Sequence, residues 1–371
     1  MTAPKTFFRA DHVGSLLRPK RLQDARANWH AGKIGRDALV AVENDCITEA
    51  VRMQESVGLH SVTDGEFRRE NWWIHFIGAM DGVEITEPTS GDAFQQNPEH
   101  GGGYVPKGVR VTGKLGGGGK ISVGDFKFLQ RTTSQTPKVT LPSPTRMIYY
   151  GGREAIDRDT YPTLDDFWSD VAKLYQQEIS ALEGAGCRYI QIDDPMLTYF
   201  LDERIRKEMT AKGIDPDAEL DRYAEAINAC IATRSPDTLL SLHLCRGNAA
   251  SQWNAEGSYD RLAARLFPRM TVDAWFLEYD DARSGGFEPL RHMPDDRIVV
   301  LGLVTTKTGR LEDEREIRSR VAEASKFVPM ERLGISPQCG FASIEAGNKL
   351  AEDDQRAKLK FVVDVAHDLW P

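Results

Sequence analysis

The sequence predicts an α/β fold of the (β/α)8 class, a TIM barrel with an inserted hairpin or flap after the second strand. Two observations indicate this fold. Eight short runs rich in apolar and β-branched residues recur along the 371 residues, and segments with helical spacing of apolar residues separate them. Nearly continuous apolar strands that alternate with helices are typical of a parallel sheet covered on both faces, and eight such units indicate a closed barrel.

Most of the predicted strands end in polar residues. In chain order the runs are HVGSLL (12–17), HSVTDGE (60–66), KVTLPSP (138–144), RYIQIDDP (188–195), LLSLHLC (239–245), AWFLEYD (274–280), IVVLGLV (298–304) and RLGISPQCG (332–340). Since the functional groups of a parallel barrel lie at the carboxyl ends of its strands, the polar residues that finish these runs are expected to meet at one mouth.

The clearest predicted helix follows Thr163, a plausible N-cap, and ends near Gly184 and Gly186. Its apolar residues fall on one stripe, formed by Phe167, Val171, Leu174 and Leu182. The interval at about 80–135 breaks the rhythm of strand and helix, since GGG at 101–103 and GGGG at 116–119 enclose an alternating run, VRVTG. We therefore expect one domain over 1–371, with this Gly-rich insertion forming a flap that contains a hairpin.

Composition excludes several classes of protein. The net charge of −9 and pI near 5.5 argue against a general nucleic-acid binder. No apolar stretch is long enough for a signal peptide or a membrane span, so a cytoplasmic protein without membrane partners is expected. Five cysteines in such a chain are expected to be thiols, not disulfides. The oligomeric state is not predicted.

A candidate metal site follows from the strand ends. His243 and Cys245 point the same way because side chains alternate along a strand, and imidazole and thiolate are favoured zinc ligands. Cys339 and Glu278, at the ends of two other predicted strands, would complete a tetrahedral Zn²⁺ site. Two thiolates and a carboxylate leave the ion electron-rich, which disfavours hydrolysis and favours binding a substrate thiol as a nucleophilic thiolate. Glu278 is then the ligand that an incoming thiolate would displace.

Six motifs, found in the same order along the chain, resemble those of a known family. VGS (13–15), TDGE (63–66), QIDDP (191–195), HLC (243–245), LEYD (277–280) and SPQCG (336–340) resemble the catalytic C-terminal barrel of cobalamin-independent methionine synthase, especially its short single-barrel bacterial branch. This family transfers a methyl group from a methylated folate to homocysteine. The resemblance therefore implies a zinc-dependent methyltransferase with homocysteine and 5-methyltetrahydrofolate as partners.

The resemblance also implies roles for individual residues. The zinc ligands would be His243, Cys245, Glu278 and Cys339. Gly14 and Ser15 would hold the homocysteine carboxylate, while Glu66 and Asp193 would bind its amino group. Glu278 and Asp193 are thus the residues expected nearest to the chemistry. The alternative for Glu66 and Asp193 is a pair of salt bridges at the rim, made with Arg68, Arg69 or Arg188.

The half of the site expected for the methyl donor departs from the family. The family's seventh strand leads into a histidine proposed to move a proton, whereas this chain reads LVTTKTGR, with Lys307 or a threonine nearest. In place of a tryptophan beside the pterin it reads LPSPTRMIYYGG, and Tyr149, Tyr150 or Trp73 could stack instead. His12 and His60 are expected to be core or rim residues.

Two other functions stay open on the sequence. One is a zinc-dependent epoxide:thiol transferase of the coenzyme M type, although an amino-binding acid pair favours an amino-acid thiol. The other is a non-catalytic protein that binds zinc or a thiol amino acid. The charge of the predicted metal site disfavours a plain hydrolase.

Overall fold

Eleven α-helices are found in the described part of the chain. A computed structural model describes residues 7–88 and 104–371. The helices are α1 Lys20–His30, α2 Arg36–Ser56, α3 Ile74–Ile77, α4 Val123–Thr132, α5 Leu164–Gly184, α6 Met196–Tyr199, α7 Glu203–Ala211, α8 Pro216–Ile231, α9 Asp260–Leu266, α10 Glu314–Ala324 and α11 Glu352–Leu369. Within these ranges, none of the helices has the length and apolar character needed to cross a bilayer.

Ten strands accompany these helices. They are β1 Ser61–Val62, β2 Asp81–Thr86, β3 Gly108–Gly116, β4 Thr136–Pro137, β5 Val139–Pro142, β6 Tyr189–Asp193, β7 Leu239–Leu244, β8 Ala274–Glu278, β9 Ile298–Val304 and β10 Leu333–Pro337. Six of them form one parallel sheet in the order β10-β9-β8-β7-β6-β5, while β1 pairs with β4. The α/β fold with a parallel sheet is therefore confirmed, and the predicted runs from 138 onward each contain a strand of this sheet.

The predicted closure of the barrel is not seen in the described residues, where the strands do not form a continuous eight-stranded ladder. Residues 12–17 form no strand, and this part of the chain contributes only an isolated parallel bridge from Ala10 to Ile335. Gly14 has a φ of +144°, which turns the backbone out of the extended conformation just where the predicted strand should continue. The predicted run 60–66 is likewise reduced to β1, because the chain turns at Gly65 and Glu66.

Side chains and single hydrogen bonds bridge this interruption. Thr63 Oγ1 donates to the Gly14 carbonyl at 2.6 Å, and Leu16 N donates to the Gly65 carbonyl at 3.0 Å. In the interior, Asp11 accepts hydrogen bonds from Lys138 Nζ at 3.2 Å and from the Tyr189 hydroxyl at 2.6 Å. Residues 9–17 therefore occupy a place between β10 and β1 without forming a regular ladder.

The insertion contains the predicted hairpin. β2 and β3 pair antiparallel, with Glu84 opposite Arg110. The alternating run behaves as expected for a strand with one face covered, since Val109 and Val111 are buried while Arg110 and Thr112 are exposed. The triple glycine 101–103 lies outside the described residues, and the role of this segment as a flap stays a prediction.

Helix α5 agrees closely with its prediction. Thr163 and Asp166 form a capping box, in which Thr163 Oγ1 accepts a hydrogen bond from Asp166 N at 3.1 Å. The predicted stripe is buried: Phe167, Val171, Leu174 and Leu182. Full burial of each such side chain stabilises the fold by about 1.5–3 kcal/mol, so this face holds α5 against α8 and the hairpin strand β3.

Candidate metal and substrate site

A cavity opens at the carboxyl ends of the parallel strands, where the sequence predicted the site. The space between its lining residues is about 650 Å³, a figure that includes space open to solvent. Six of the eight predicted site residues line it: Ser15, Glu66, Asp193, His243, Cys245 and Cys339. Gly14 lies next to this wall, and Glu278 lies behind it.

Three buried residues form a cluster that could hold a metal ion. One ligand atom from each of His243, Cys245 and Cys339 lies within 4.8 Å of the other two. His243 belongs to β7, and Cys245 is the residue directly after that strand. Side chains alternate along a strand, so both of these side chains point into the cavity. Cys339 comes two residues after β10. The structure thus brings together three of the four predicted zinc ligands.

The electrostatics of the cluster suit a metal ion. Contact with Cys245, and then with His243 and Lys307, outweighs burial and keeps the pKa of Cys339 well below its ordinary range. The pKa of Cys245 is raised well above its ordinary range by Cys339, by burial and by Glu278. Both ring nitrogens of His243 are buried and lack a hydrogen-bond partner among the described residues. A soft divalent ion would accept the imidazole and allow both thiols to ionise.

Glu278 is buried at the end of β8, but its carboxylate is not part of this cluster. Oε2 accepts a hydrogen bond from the backbone N of Arg246 at 2.7 Å, and Oε1 lies 3.5 Å from Arg283 Nη2. Burial raises the pKa of Glu278, but Lys307, Arg246 and Arg283 outweigh it and hold this pKa below the ordinary value. Glu278 is therefore ionised beside the cluster, and its role as a ligand stays a prediction.

Two carboxyl groups face the same cavity from β6 and from the turn after β1. Burial raises the pKa of Asp193 to about 7, and burial also raises the pKa of Glu66. Glu66 Oε1 accepts a hydrogen bond from Thr140 at 2.8 Å and lies 3.4 Å from Arg69, whereas Oε2 is buried with no partner among the residues described. An ammonium group between the two acids would favour their charged forms and bond to this oxygen.

The backbone places Glu66 in an unusual conformation. Its φ is +61°, which glutamate rarely adopts. Strain of this kind clusters at functional sites, and here it turns the carboxylate inward. The predicted rim salt bridges are present only in part: Arg69 contacts Glu66, while Arg68 binds Glu43 and Asp125.

Ser15 forms the part of the wall nearest to the last motif. Its Oγ accepts a hydrogen bond from Ala342 N at 3.3 Å, and its carbonyl accepts one from Phe341 N at 2.9 Å. A Cβ atom at Gly340 would lie 2.0 Å from Ser15 Oγ, so glycine is required there. A Cβ at Gly14 would lie 2.7 Å from Thr140 Cγ2. Binding of a carboxylate by Gly14 and Ser15 stays a prediction.

An aromatic wall surrounds a buried arginine on another side of the cavity. It consists of Trp72, Trp73, Tyr104, Tyr150 and Tyr199. The Arg146 guanidinium lies over Trp73, 3.8 Å from the ring centroid, and over Tyr150 at 4.7 Å. Its Nη2 donates to the Lys107 carbonyl at 2.5 Å, and its Nη1 has no partner in the described part of the chain. Burial lowers the pKa of Arg146 to about 10, so it is still a cation near neutral pH.

Sequence reasoning anticipated Trp73 and Tyr150 here but missed Arg146. Its position two residues after the third predicted strand, in SPTR, gives only a weak signal, because an arginine there usually lies in solvent. Tyr149 packs against Tyr150 and Tyr199 beside the cavity instead of lining it. His12 is buried in the core, where burial lowers its pKa to about 4, and His60 is exposed and hydrogen-bonded to Gln135.

Comparisons with known proteins show which family this chain resembles. The family model described as "Cobalamin-independent synthase, Catalytic domain" matches residues 8–368. The uncharacterized protein YxjH of Bacillus subtilis (strain 168) is 42% identical over 368 residues, covering 99% of this chain and 96% of its own length.

Two solved structures share the fold. A Listeria monocytogenes structure described as a candidate vitamin-B12-independent methionine synthase is 34% identical, with a TM-score of 0.78 and 99% of each chain covered. A B12-independent methionine synthase from Shewanella sp. W3-18-1, in complex with selenomethionine, is 20% identical, with a TM-score of 0.72 and 98% of each chain covered. The chain belongs to the family of cobalamin-independent methionine synthase catalytic domains, and it is a methyltransferase.

Proposed function

We propose that this methyltransferase moves a methyl group from 5-methyltetrahydrofolate to the thiol of homocysteine, giving methionine, with Zn²⁺ held by His243, Cys245, Cys339 and Glu278. The observation that carries the proposal is the shared cavity. A thiol-activating cluster and two acids suited to an ammonium group face the same space. A thiol amino acid has both of the groups that these residues would bind.

Zinc, when bound, would keep the substrate sulfur deprotonated and nucleophilic at neutral pH. The His243 nitrogens, which lack partners among the described residues, and the low pKa of Cys339 support a metal at this position. Glu278 is the ligand that the substrate thiolate would replace. The thiolate sulfur would take the methyl group, so that a new S–CH₃ bond forms as the donor's N–CH₃ bond breaks, and the leaving folate nitrogen would gain the proton that the acceptor thiol gave up.

The acceptor is held by its amino acid end. Glu66 and Asp193 would bind the ammonium group, and Ser15 with Gly14 would bind the carboxylate. These contacts place the sulfur toward the cluster and restrict the acceptor to amino-acid thiols. Coenzyme M has no amino group for the acid pair, and the epoxide:thiol alternative therefore has less support.

The methyl donor would lie against the aromatic wall. Trp73 and Tyr150 form part of this apolar wall, and Arg146 adds a buried positive charge over their rings. A folate has a flat heterocycle with carbonyl oxygens, which suits aromatic faces and a hydrogen-bond donor. This arrangement supports a folate donor even though the family's tryptophan is replaced.

Metal analysis combined with a methyl-transfer assay tests the proposal. Purified protein is expected to hold one zinc per chain and to form methionine from homocysteine and 5-methyltetrahydrofolate, supplied in mono- and polyglutamyl forms. Methylcobalamin serves as the alternative donor. Zinc with no methionine from any donor would reject the folate reaction, and epoxides would be tried next. Location in the cytoplasm stays a prediction.

Replacing Arg146 tests the donor side separately. Arg146→Met is expected to raise the KM for methyltetrahydrofolate by about 10- to 150-fold, since the hydrogen bond from the guanidinium to the folate would be lost and a hydrogen bond to a charged group contributes about 1.5–3 kcal/mol. The KM for homocysteine should stay unchanged. Arg153→Met is the matched control, because Arg153 also donates to backbone carbonyls but does not line the cavity. An equal rise in both KM values would contradict a donor-specific role.

A further inference from the structure

A buried group of charges lies directly behind the metal-binding cluster. Its acids are Glu278 and Asp280, and its cations are Lys307 and Arg283. The side chains of both acids are at most 1% exposed, and that of Lys307 is 6% exposed. Buried charges are costly unless they are paired and hydrogen-bonded, so the pairing inside this group is expected to matter to function.

Lys307 is the cation of the group whose charged atom makes no hydrogen bond among the described residues, whereas Arg283 lacks a partner only at Nη1. Lys307 Nζ lies 3.7 Å from Glu278 Oε1 and 3.6 Å from Asp280 Oδ2, and it has no hydrogen-bond partner among the described residues. An ammonium group can donate three hydrogen bonds. Lys307 is thus attracted by two carboxylates, and a shift of less than 1 Å by either one would bring it into hydrogen-bonding range.

Arg283 is held more firmly. Its Nε donates to both carboxylate oxygens of Asp281, at 2.9 and 2.7 Å, and its guanidinium lies 4.2 Å from the Trp253 ring centroid. Arg283 can attract Glu278 at 3.5 Å without moving. The two cations therefore differ: Arg283 is a fixed charge, while the Lys307 ammonium is free of fixed hydrogen bonds within the described residues.

We propose that Lys307 is a positioning residue. It would pair with the Glu278 carboxylate when the substrate thiolate takes the place of that carboxylate beside the metal. This inference rests on the proposed function. The exchange puts one negative sulfur in place of one negative carboxylate, so the carboxylate needs a cation in the interior. Lys307 supplies that cation, with Arg283 beside it, and Asp280 pairs with Lys307 while Glu278 is a metal ligand.

The experiment follows acceptor binding to the zinc protein, with selenohomocysteine as the probe. X-ray absorption at the zinc edge counts selenium and oxygen ligands, and titration gives the Kd. In the unmodified protein, one selenium is expected to replace one oxygen. Lys307→Met is expected to weaken selenohomocysteine binding by about 10- to 100-fold, the usual range for residues that support a metal ligand. Zinc affinity, measured against a chelator, should not fall.

A second pair of variants shows whether Lys307 acts through Glu278. Glu278→Ala removes the carboxylate with which Lys307 would pair. The double variant Glu278→Ala with Lys307→Met should then bind selenohomocysteine as tightly as Glu278→Ala alone. Lys358→Met is the matched control, since Lys358 is a buried lysine paired with Glu312 away from the cavity, and it should bind the probe as the unmodified protein does.

Three results separate the possible failures. A Kd for Lys307→Met equal to that of the unmodified protein would overturn the role of Lys307 alone. A further loss in the double variant, as large as that in Lys307→Met, would also overturn it, because Lys307 would then act independently of Glu278. No selenium on zinc in the unmodified protein would instead overturn the proposed function. If Lys307→Met does not fold, Lys307→Gln removes the same charge and retains a polar group.

Discussion

Replacement of Cys339 by serine is expected to remove most of the bound zinc and all methyl transfer. Cys339 supplies one of the two sulfurs of the cluster, and its sulfur lies within 4.8 Å of the ligand atoms of His243 and Cys245. A serine hydroxyl stays protonated at neutral pH and gives the ion no comparable ligand. Zinc per chain, measured by elemental analysis, and methionine formed from homocysteine check this prediction.

Cys230→Ala is the control for Cys339→Ser. Cys230 is also a buried free thiol, but it belongs to the core of α8 and does not line the cavity. This variant should retain full zinc occupancy and activity. Full zinc occupancy in Cys339→Ser would dismantle the proposed metal site.

Glu66→Gln is expected to raise the KM for homocysteine by about 10- to 150-fold, with a smaller effect on kcat. The substitution replaces a charged acceptor by a neutral amide, and a hydrogen bond to a charged group contributes about 1.5–3 kcal/mol. The free Glu66 Oε2, which has no partner within the described residues, is the atom expected to accept from the substrate ammonium. Steady-state kinetics with homocysteine check this.

The acceptor itself provides a second measurement on Glu66. 4-Mercaptobutyrate has the thiol and the carboxylate of homocysteine but no amino group, and its weak activity should be the same in Glu66→Gln and in the unmodified protein. Glu43→Gln serves as a control, because Glu43 is a buried carboxylate of α2 paired with Arg68. Equal losses with both thiols would show that Glu66 supports the fold and not the amino group.

The later part of the fold was predictable because its local and global signals agree. β9 is apolar along its whole length and coincides with the run 298–304, and β7 is buried along its whole length. A strand buried on both faces leaves this signature whatever its neighbours are. The capping residues of α5 are equally local, so Thr163 and Asp166 identify its start from sequence alone.

The prediction of the first strand failed because tertiary contacts, which a sequence pattern does not contain, decide the backbone conformation there. HVGSLL has the apolar composition of a strand, yet Gly14 takes a φ of +144° and its position is fixed by contacts with Thr63 and Thr140. Those contacts come from distant parts of the chain. Tertiary contacts therefore decide the conformation here, and local propensity does not.

The residues of the site likewise include some that could be predicted from the sequence and some that could not. His243, Cys245 and Cys339 could be predicted because strand ends converge and because their chemistry is distinctive. The burial of Arg146 and the pairing of Lys307 with two acids could not be predicted, since an arginine or lysine after a strand usually lies in solvent. Only the packing of Trp73 and Tyr150 shows that Arg146 is buried.

The hydrogen bond between Ser15 and Ala342 has a consequence for the order of folding. The two residues are 327 positions apart, and Leu17 N bonds to Gln355 Oε1 over 338 positions. Contacts of such separation form late because a long loop must close first. On the ribosome, the wall beside Ser15 and the second thiolate, Cys339, both wait until the segment that contains residues 339–355 has emerged. Metal capture by the complete cluster thus requires that segment, and a chain interrupted before residue 339 would emerge with only half of its sulfur ligands.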